Sequence, residues 1–232
     1  MNSKLVALIG ILEEIEKKTR EIYVLFKKKS HDDDHVRFWG ELAKDETEHV
    51  AFWQRLLKAN ENKSVKNPFE DLEDTIEKTR LLLEKIHRIG IAANELTGQD
   101  RFVKHAIVLE ALLLNPAFTM LFRSVKTHIK AHTPETTYQD HIQKLIGFAR
   151  TTLPQEDYLL YSLALESAFQ QSSDIADLIT RIDGLEALIP ICAWCKNVRK
   201  ENGDWVRVEE YIMGHSQSEF THGICPDCKE KL

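Results

Sequence analysis

The stretch Glu41-Leu-Ala-Lys-Asp-Glu-Thr-Glu-His-Val-Ala-Phe-Trp53 decides how this chain is read. Glu46 and His49 stand three residues apart, so on a helix they share a face and can hold one metal ion. At about 100° per residue, Trp39, Leu42, Val50, Trp53 and Leu57 all fall within roughly 40° of Glu46. The carboxylate therefore lies in the middle of an apolar stripe, on the side a helix turns to its core. A buried carboxylate is costly unless it is paired or ligates a metal. The same pattern thus predicts both a helix and a site on it.

Working outward, residues 3–29 read as a helix on which Leu5, Ile9, Leu12 and Tyr23 share a face with Glu16. Ser30 or Asp32 can cap a second helix running to about Asn60. Glu16 is 14 residues before Ser30 and Glu46 is 16 after it, so a helical hairpin sets the two carboxylates at one height. Asn60 to Pro68 reads as a loop, Phe69 to about Asn94 as a third helix, and Thr97-Gly98 as a break. A fourth helix is expected from Gln99 to about Lys130, with Val103, Ala106, Leu114, Ala117 and Leu121 around Glu110, a third core-facing carboxylate. Thr133-Pro134 should end it. A short helix over 135–150 and a last one from about Gln155 to Ile182, started by Pro154, complete the helical part. A weak internal repeat relates Val108-Leu109-Glu110 to Ala164-Leu165-Glu166, suggesting hairpins stacked on one plan.

The totals agree. The 232 residues are 43% hydrophobic and 29% charged, enough for one substantial core plus a small module. A net charge of −6 gives no pull toward nucleic acid or an anionic membrane. The Leu5–Leu12 apolar run leads straight into Glu13, Glu14 and Glu16, so no signal peptide and no membrane span is expected. Without an export signal, the four Cys read as metal ligands in a reducing cytoplasm, not disulfides.

At Gly184 the character changes. Residues 1–183 hold the long amphipathic helices; residues 184–232 are loop-rich and carry every cysteine. Cys192-x-x-Cys195 and Cys225-x-x-Cys228 are separated by 29 residues, two knuckles offering four thiolates for one tetrahedral Zn²⁺ or a single iron. So short a module buries little core, and a metal would supply its folding energy.

Glu16 with Tyr23, Glu46-x-x-His49 and Ala106-Ile-Val-Leu-Glu110 resemble the metal-ligand helices of the rubrerythrin group of ferritin-like proteins, over roughly residues 5–150. The resemblance implies a ferritin-like antiparallel bundle, two iron or manganese ions bridged by carboxylates, and the 69–94 helix as the long crossover. It also implies a second Glu-x-x-His. The matching place holds Tyr138-x-x-His141, Tyr standing for Glu, and its height looks wrong: His141 is nine residues beyond a turn near His132, Glu110 about 22 before it. Glu84-Lys-Ile-His87 is the alternative pair, although Glu84 lies about 120° off its helix's apolar centre and reads as a surface residue. His31, His35, His105, His128, His132 and His215 have no partner spacing. The three core-facing Glu could instead be satisfied by buried Tyr, Trp or His without any metal.

The tail resembles a short module at the C-termini of bacterial sensor kinases and response regulators, through Leu188-Ile-Pro-Ile-Cys-Ala-Trp-Cys-Lys-Asn-Val-Arg199, Gly203-Asp-Trp205, Glu210-Tyr-Ile212, His215-Ser216 and Phe220-Thr-His-Gly-Ile-Cys-Pro-Asp-Cys228. Rubrerythrins also end in a four-Cys domain, a rubredoxin, but with Gly after each second Cys, where this chain has Lys196 and Lys229. The expected function is therefore a cytoplasmic, metal-binding sensory or signalling protein, with zinc in the tail, iron or manganese in the bundle, and a protein partner or a second copy of itself. The alternatives are a rubrerythrin-like di-iron peroxidase and a metal-free helical scaffold.

Overall fold

The computed structural model describes residues 3–61, 67–115, 117–118, 120–121, 135–186, 189–200, 202–215 and 220–230. The chain is mainly helical, and it divides into two compact units, Met1–Asp177 and Leu178–Leu232.

In the first unit α1 (Ser3–Lys29) and α2 (Asp33–Glu61) form the hairpin. Asp32 makes the turn: its Oδ1 accepts from the Asp34 and His35 amides at 3.0 and 3.2 Å, satisfying the free donors of the α2 N-terminus. α3 (Leu72–Ala93) starts at Asp71, whose side chain accepts from the Asp74 amide, and packs on α1. At the other end of α3, Lys29 Nζ donates to the carbonyls of Ala93 (3.3 Å), Leu96 (2.9 Å) and Asn94. Gly98 sits at φ 90, where a Cβ would also meet Asp100, so the break before α4 (Gln99–Leu113) needs glycine. α5 (Glu135–Thr152) packs on α4, and α6 (Gln155–Glu186) is the last long helix.

The fourth helix is shorter than the sequence pattern suggests. It stops at Leu113, and Leu114 leaves helical geometry at φ −71, ψ 32. The cause is Asn115-Pro116. A residue before proline is pushed out of the α region, and Asn115 turns its own side chain to accept from the Ala117 amide at 2.9 Å. The height mismatch between Glu110 and His141 assumed an unbroken helix to Lys130, and that premise fails here. Lys130, His128, His132 and Thr133-Pro134 lie outside the described residues, as do Leu188, Ser216 and the side chains of Tyr138 and His215.

An aromatic layer closes the bundle toward the α1–α2 turn. Phe26 stacks on Phe102 at 4.6 Å, Phe38 on Phe148 at 3.8 Å, and Trp39 lies between Tyr23 and Phe148. Trp39 Nε1 donates to Gln99 Oε1, and Gln99 Nε2 to Ser30 Oγ, tying the start of α4 to the hairpin turn. Tyr23, Phe26, Trp39 and Phe102 are buried, and each such side chain contributes about 1.5–3 kcal/mol.

The second unit holds a two-stranded antiparallel hairpin, β1 (Val198–Arg199) and β2 (Trp205–Val206), turning at Gly203, φ 91. α7 (Val208–His215) and the one-turn α8 (Pro226–Lys229) follow. Between Ile189 and Glu230 the only described side chain fully withdrawn from solvent is Val198.

Candidate metal centre

Five residues from four helices meet in the first unit's core: Glu16 on α1, Glu46 and His49 on α2, Glu110 on α4 and His141 on α5. All are buried. They form two triads, Glu16–Glu46–His49 and Glu46–Glu110–His141, within each of which the ligand atoms lie no more than 4.8 Å apart. Glu46 belongs to both. Its Oε2 faces His49 Nδ1 at 3.1 Å and its Oε1 faces His141 Nδ1 at 3.4 Å. On the outer sides, Glu16 Oε2 is 3.8 Å from His49 Nδ1, and Glu110 Oε1 is 3.6 Å from His141 Nδ1. Glu46 Oε1 and His141 Nδ1 make no hydrogen bond although both are fully buried. Buried polar atoms are seldom left so, and here the two face each other at 3.4 Å.

A second ring of residues orients these groups. Tyr23 donates its hydroxyl proton to Glu110 Oε1, and Trp53 Nε1 donates to Glu16 Oε1 at 3.3 Å. His141 Nε2 bonds Asp45 Oδ2 at 3.0 Å, and Lys144 Nζ donates to the same oxygen at 2.8 Å. With Nε2 so engaged, the ring turns Nδ1 toward Glu46 and Glu110. The electrostatics follow from burial. Desolvation, opposed by His49 and reinforced by Glu16, raises Glu46 to about 8. Burial works against a charged His141, but Asp45, Glu110 and Glu46 outweigh it and raise the ring to about 10. His49 is likewise raised by Glu46 and Glu16 against its burial, and Tyr23 is pushed up by burial and then by Glu110. Burial would raise Asp45, yet His141 and Lys144 overcome it and bring it down to about 2.

The alternative pair does not take part. Glu84 and His87 are exposed on α3, Glu84 facing Arg88 at 3.8 Å. Glu166, the repeat partner of Glu110, is exposed as well, so the repeat does not extend to the site. Asp45 and Lys144 are the residues sequence reading missed. Asp45 lies one position off the Glu46 stripe and is indistinguishable there from any surface acid; only the docking of α5 gives it a role.

Asp45→Asn tests that role. Outer partners of metal-bound histidines are worth about 10–100-fold in affinity. Asparagine keeps the shape but can no longer hold the ring as an anion does. We expect metal affinity at the Glu46–Glu110–His141 triad to fall by about that factor, measured by titration calorimetry, with helicity unchanged. Unaltered affinity would remove Asp45 from the site.

In the second unit the cysteines come together in pairs. The Cys195 amide lies 3.5 Å from Cys192 Sγ, and backbone amides, chiefly those of Cys195 and Cys228, hold the Cys192 and Cys225 thiols below their ordinary values. Among the described residues the four sulfurs do not form a further set like the two bundle triads. Lys196 takes the left-handed conformation, φ 63, that the position after a second knuckle cysteine calls for. The lack of glycine there therefore does not prevent the turn; a non-glycine residue holds it at a cost of order 1–3 kcal/mol.

No protein-family model, no curated protein and no solved structure matches the chain.

Proposed function

We propose that this protein is a ferritin-like metal-binding sensor: the bundle centre takes iron or manganese, and the C-terminal module holds one zinc ion through Cys192, Cys195, Cys225 and Cys228. The observation that carries the reading is Glu46, a single buried carboxylate shared by two triads with one histidine each. Carboxylate and imidazole donors together suit Fe²⁺, Mn²⁺ and Zn²⁺. Glu16 and His49 would hold one ion, Glu110 and His141 a second, with Glu46 between them. Three carboxylates balance three of the four charges on two divalent ions, which leaves room for one further anionic ligand. Such an ion supplies one-electron redox chemistry; the protein's own part is to exclude water, orient the donors and keep Tyr23 protonated beside Glu110.

A rubrerythrin-like peroxidase is the second reading. It is favoured by Lys196, whose left-handed backbone gives the first cysteine knuckle the turn that rubredoxin-type iron sites use. Metal analysis of the full chain separates the two. A colourless tail with one zinc supports the sensor, and a red iron–thiolate tail supports the peroxidase. A bundle that stays empty when Fe²⁺ or Mn²⁺ is added without oxygen would end both.

pH gives an independent check. Without metal, Glu46 (about 8 against 4.5) and His141 (about 10 against 6.5) both titrate higher in the folded protein than the values they have when unfolded. A raised folded pKa lends stability that is complete below the unfolded value and is lost as pH rises through the folded one. The metal-free bundle should therefore lose stability from about pH 4.5 to 10, through Glu46 first, both groups between about 6.5 and 8, and His141 last, by up to about 1.4 kcal/mol per pH unit for each group titrating. Metal competes with those same protons, so the rise in Tm on adding Mn²⁺ should grow over the same range. A metal-induced Tm shift that is flat with pH would show that the ion binds elsewhere.

A further inference from the structure

His141 stands between the buried centre and the surface. Its ring is fully buried, yet Nε2 meets Asp45 Oδ2 at 3.0 Å, and the Asp45 side chain is 17% exposed. Other partners of the centre lead inward: Tyr23 beside Glu110 and Trp53 beside Glu16 are both fully buried. Beyond Asp45 the seam between α2 and α5 carries charge. Lys144 Nζ lies 2.8 Å from the same Oδ2, on a side chain 41% exposed. Glu41 and Asp140, both exposed, act on that ammonium as well. Glu41 and Asp45 are four residues apart on α2, as are Asp140 and Lys144 on α5, so each pair shares a helix face. Carboxylates thus gather at the outer end of a line that runs from Asp45 through His141 to Glu46 and Glu110. All of these residues lie in the first unit.

We propose that divalent cations reach the bundle centre along this line, with Asp45 as their first ligand, Lys144 as the charge they displace and His141 as the ring that turns aside to let them pass. The proposal rests on the reading of the centre as a metal site. Taking a cation out of water into a core is costly, and carboxylates that replace its water in stages lower that cost. Lys144 holds, with its own positive charge, the place on Asp45 that such a cation takes. Its flexible, half-exposed stem lets the ammonium swing into water once displaced. The same oxygen also holds His141, so a cation on Asp45 Oδ2 loosens the ring as it arrives. Nδ1 makes no hydrogen bond. With the Asp45 bond gone, neither ring nitrogen is hydrogen-bonded and the ring is free to turn. Nδ1 faces Glu46 Oε1 at 3.4 Å and Glu110 Oε1 at 3.6 Å, so the carboxylates that receive the cation lie directly behind the ring.

The test is the rate at which the full chain takes up Mn²⁺, read from the fall of the free-Mn²⁺ electron paramagnetic resonance signal after mixing. The final level of that signal reports the centre itself. Glu41→Lys with Asp140→Lys reverses two exposed charges at the mouth and touches no ligand. It should slow uptake about tenfold, the low end of what electrostatic focusing supplies, and leave the final Mn²⁺ per chain unchanged. Glu77→Lys with Glu84→Lys, both exposed on α3, changes the net charge equally and should leave the rate alone. Lys144→Met keeps an unbranched stem and removes the competing charge, so uptake should be about tenfold faster. A mouth pair that slows uptake no more than the α3 pair would overturn the route and leave the centre standing, as would a rate that Lys144→Met does not raise. A wild type that takes up no Mn²⁺ would end the metal centre, and the route with it.

Discussion

Glu46→Ala should empty both halves of the bundle centre, where loss of Glu16 or Glu110 empties one. Only Glu46 belongs to both triads. Its two oxygens face different imidazoles, at 3.1 and 3.4 Å, so no neighbour can swing in to replace it on both sides. The loss at each ion should exceed the 10–100-fold that an outer partner is worth, because a direct ligand is removed. In the metal-free protein the sign reverses. There Glu46 brings a buried acid with its pKa pushed up to about 8 and one oxygen without a hydrogen bond. Glu46→Gln keeps the shape and cannot ionise, so its stability advantage over the wild type should grow from about pH 4.5 and be complete above about pH 8, where the wild type must bury a charge. Alanine gains the same relief but leaves a cavity, which offsets part of it. Glu84→Ala on the exposed face of α3 serves as the control and should stay within about 0.5 kcal/mol. Metal content and Tm with and without Mn²⁺ decide the matter. A Glu46→Ala protein that retains wild-type metal would exclude this centre.

How much of this the sequence disclosed depends on which physical rule governed each residue. Glu16, Glu46 and Glu110 could be found because each is the polar exception in an apolar stripe, and helix periodicity alone carries that signal. His49 came with Glu46 through the three-residue spacing, and the shared height of Glu16 and Glu46 came from counting to the Ser30–Asp32 turn. His141 was harder. Its helix follows a chain reversal whose length depends on where α4 stops, and Asn115-Pro116 stops it at Leu113, before the apolar pattern fades at Leu121. The hydrophobic period ran on across a break, with Ala117, Phe118 and Leu121 again helical and buried beyond it, so distance along the chain misjudged distance in space. Asp45 and Lys144 gave no signal at all, because their role exists only once α2 and α5 touch. The tail shows the converse: Cys spacing announced the two pairs, and the rule that glycine follows them was answered only at the first, where Lys196 adopts the turn itself, while Lys229 stays in the one-turn helix α8.

The other large effect belongs to that tail. Cys228→Ser should unfold the module while leaving the bundle helical. Between Ile189 and Glu230 the described side chains bury one residue fully, Val198. A hairpin of two residues per strand, an eight-residue helix and a one-turn helix cannot offset the entropy of ordering some forty residues, at about 1–2 kcal/mol each for the backbone. Some other term must do so. Zinc held by four thiolates supplies on the order of 10–16 kcal/mol in small zinc modules, and that binding energy is folding energy. The knuckles are already prepared for it: backbone amides aim at Cys192 and Cys225 and lower both thiols toward the thiolate that metal requires. In the proposed zinc site serine at position 228 removes one of four thiolate ligands, so the expected loss is the module's whole stability. Limited proteolysis should cut the variant between Ile189 and Glu230 at a protease level that leaves the wild type whole, with zinc content falling from one ion per chain to none. Circular dichroism should hardly change, since the long helices lie before Ile189. Strong chelator on the wild type should reproduce the same cleavage. A tail that resists protease in chelator, in a protein purified without metal, would mean that something other than the four cysteines holds it folded.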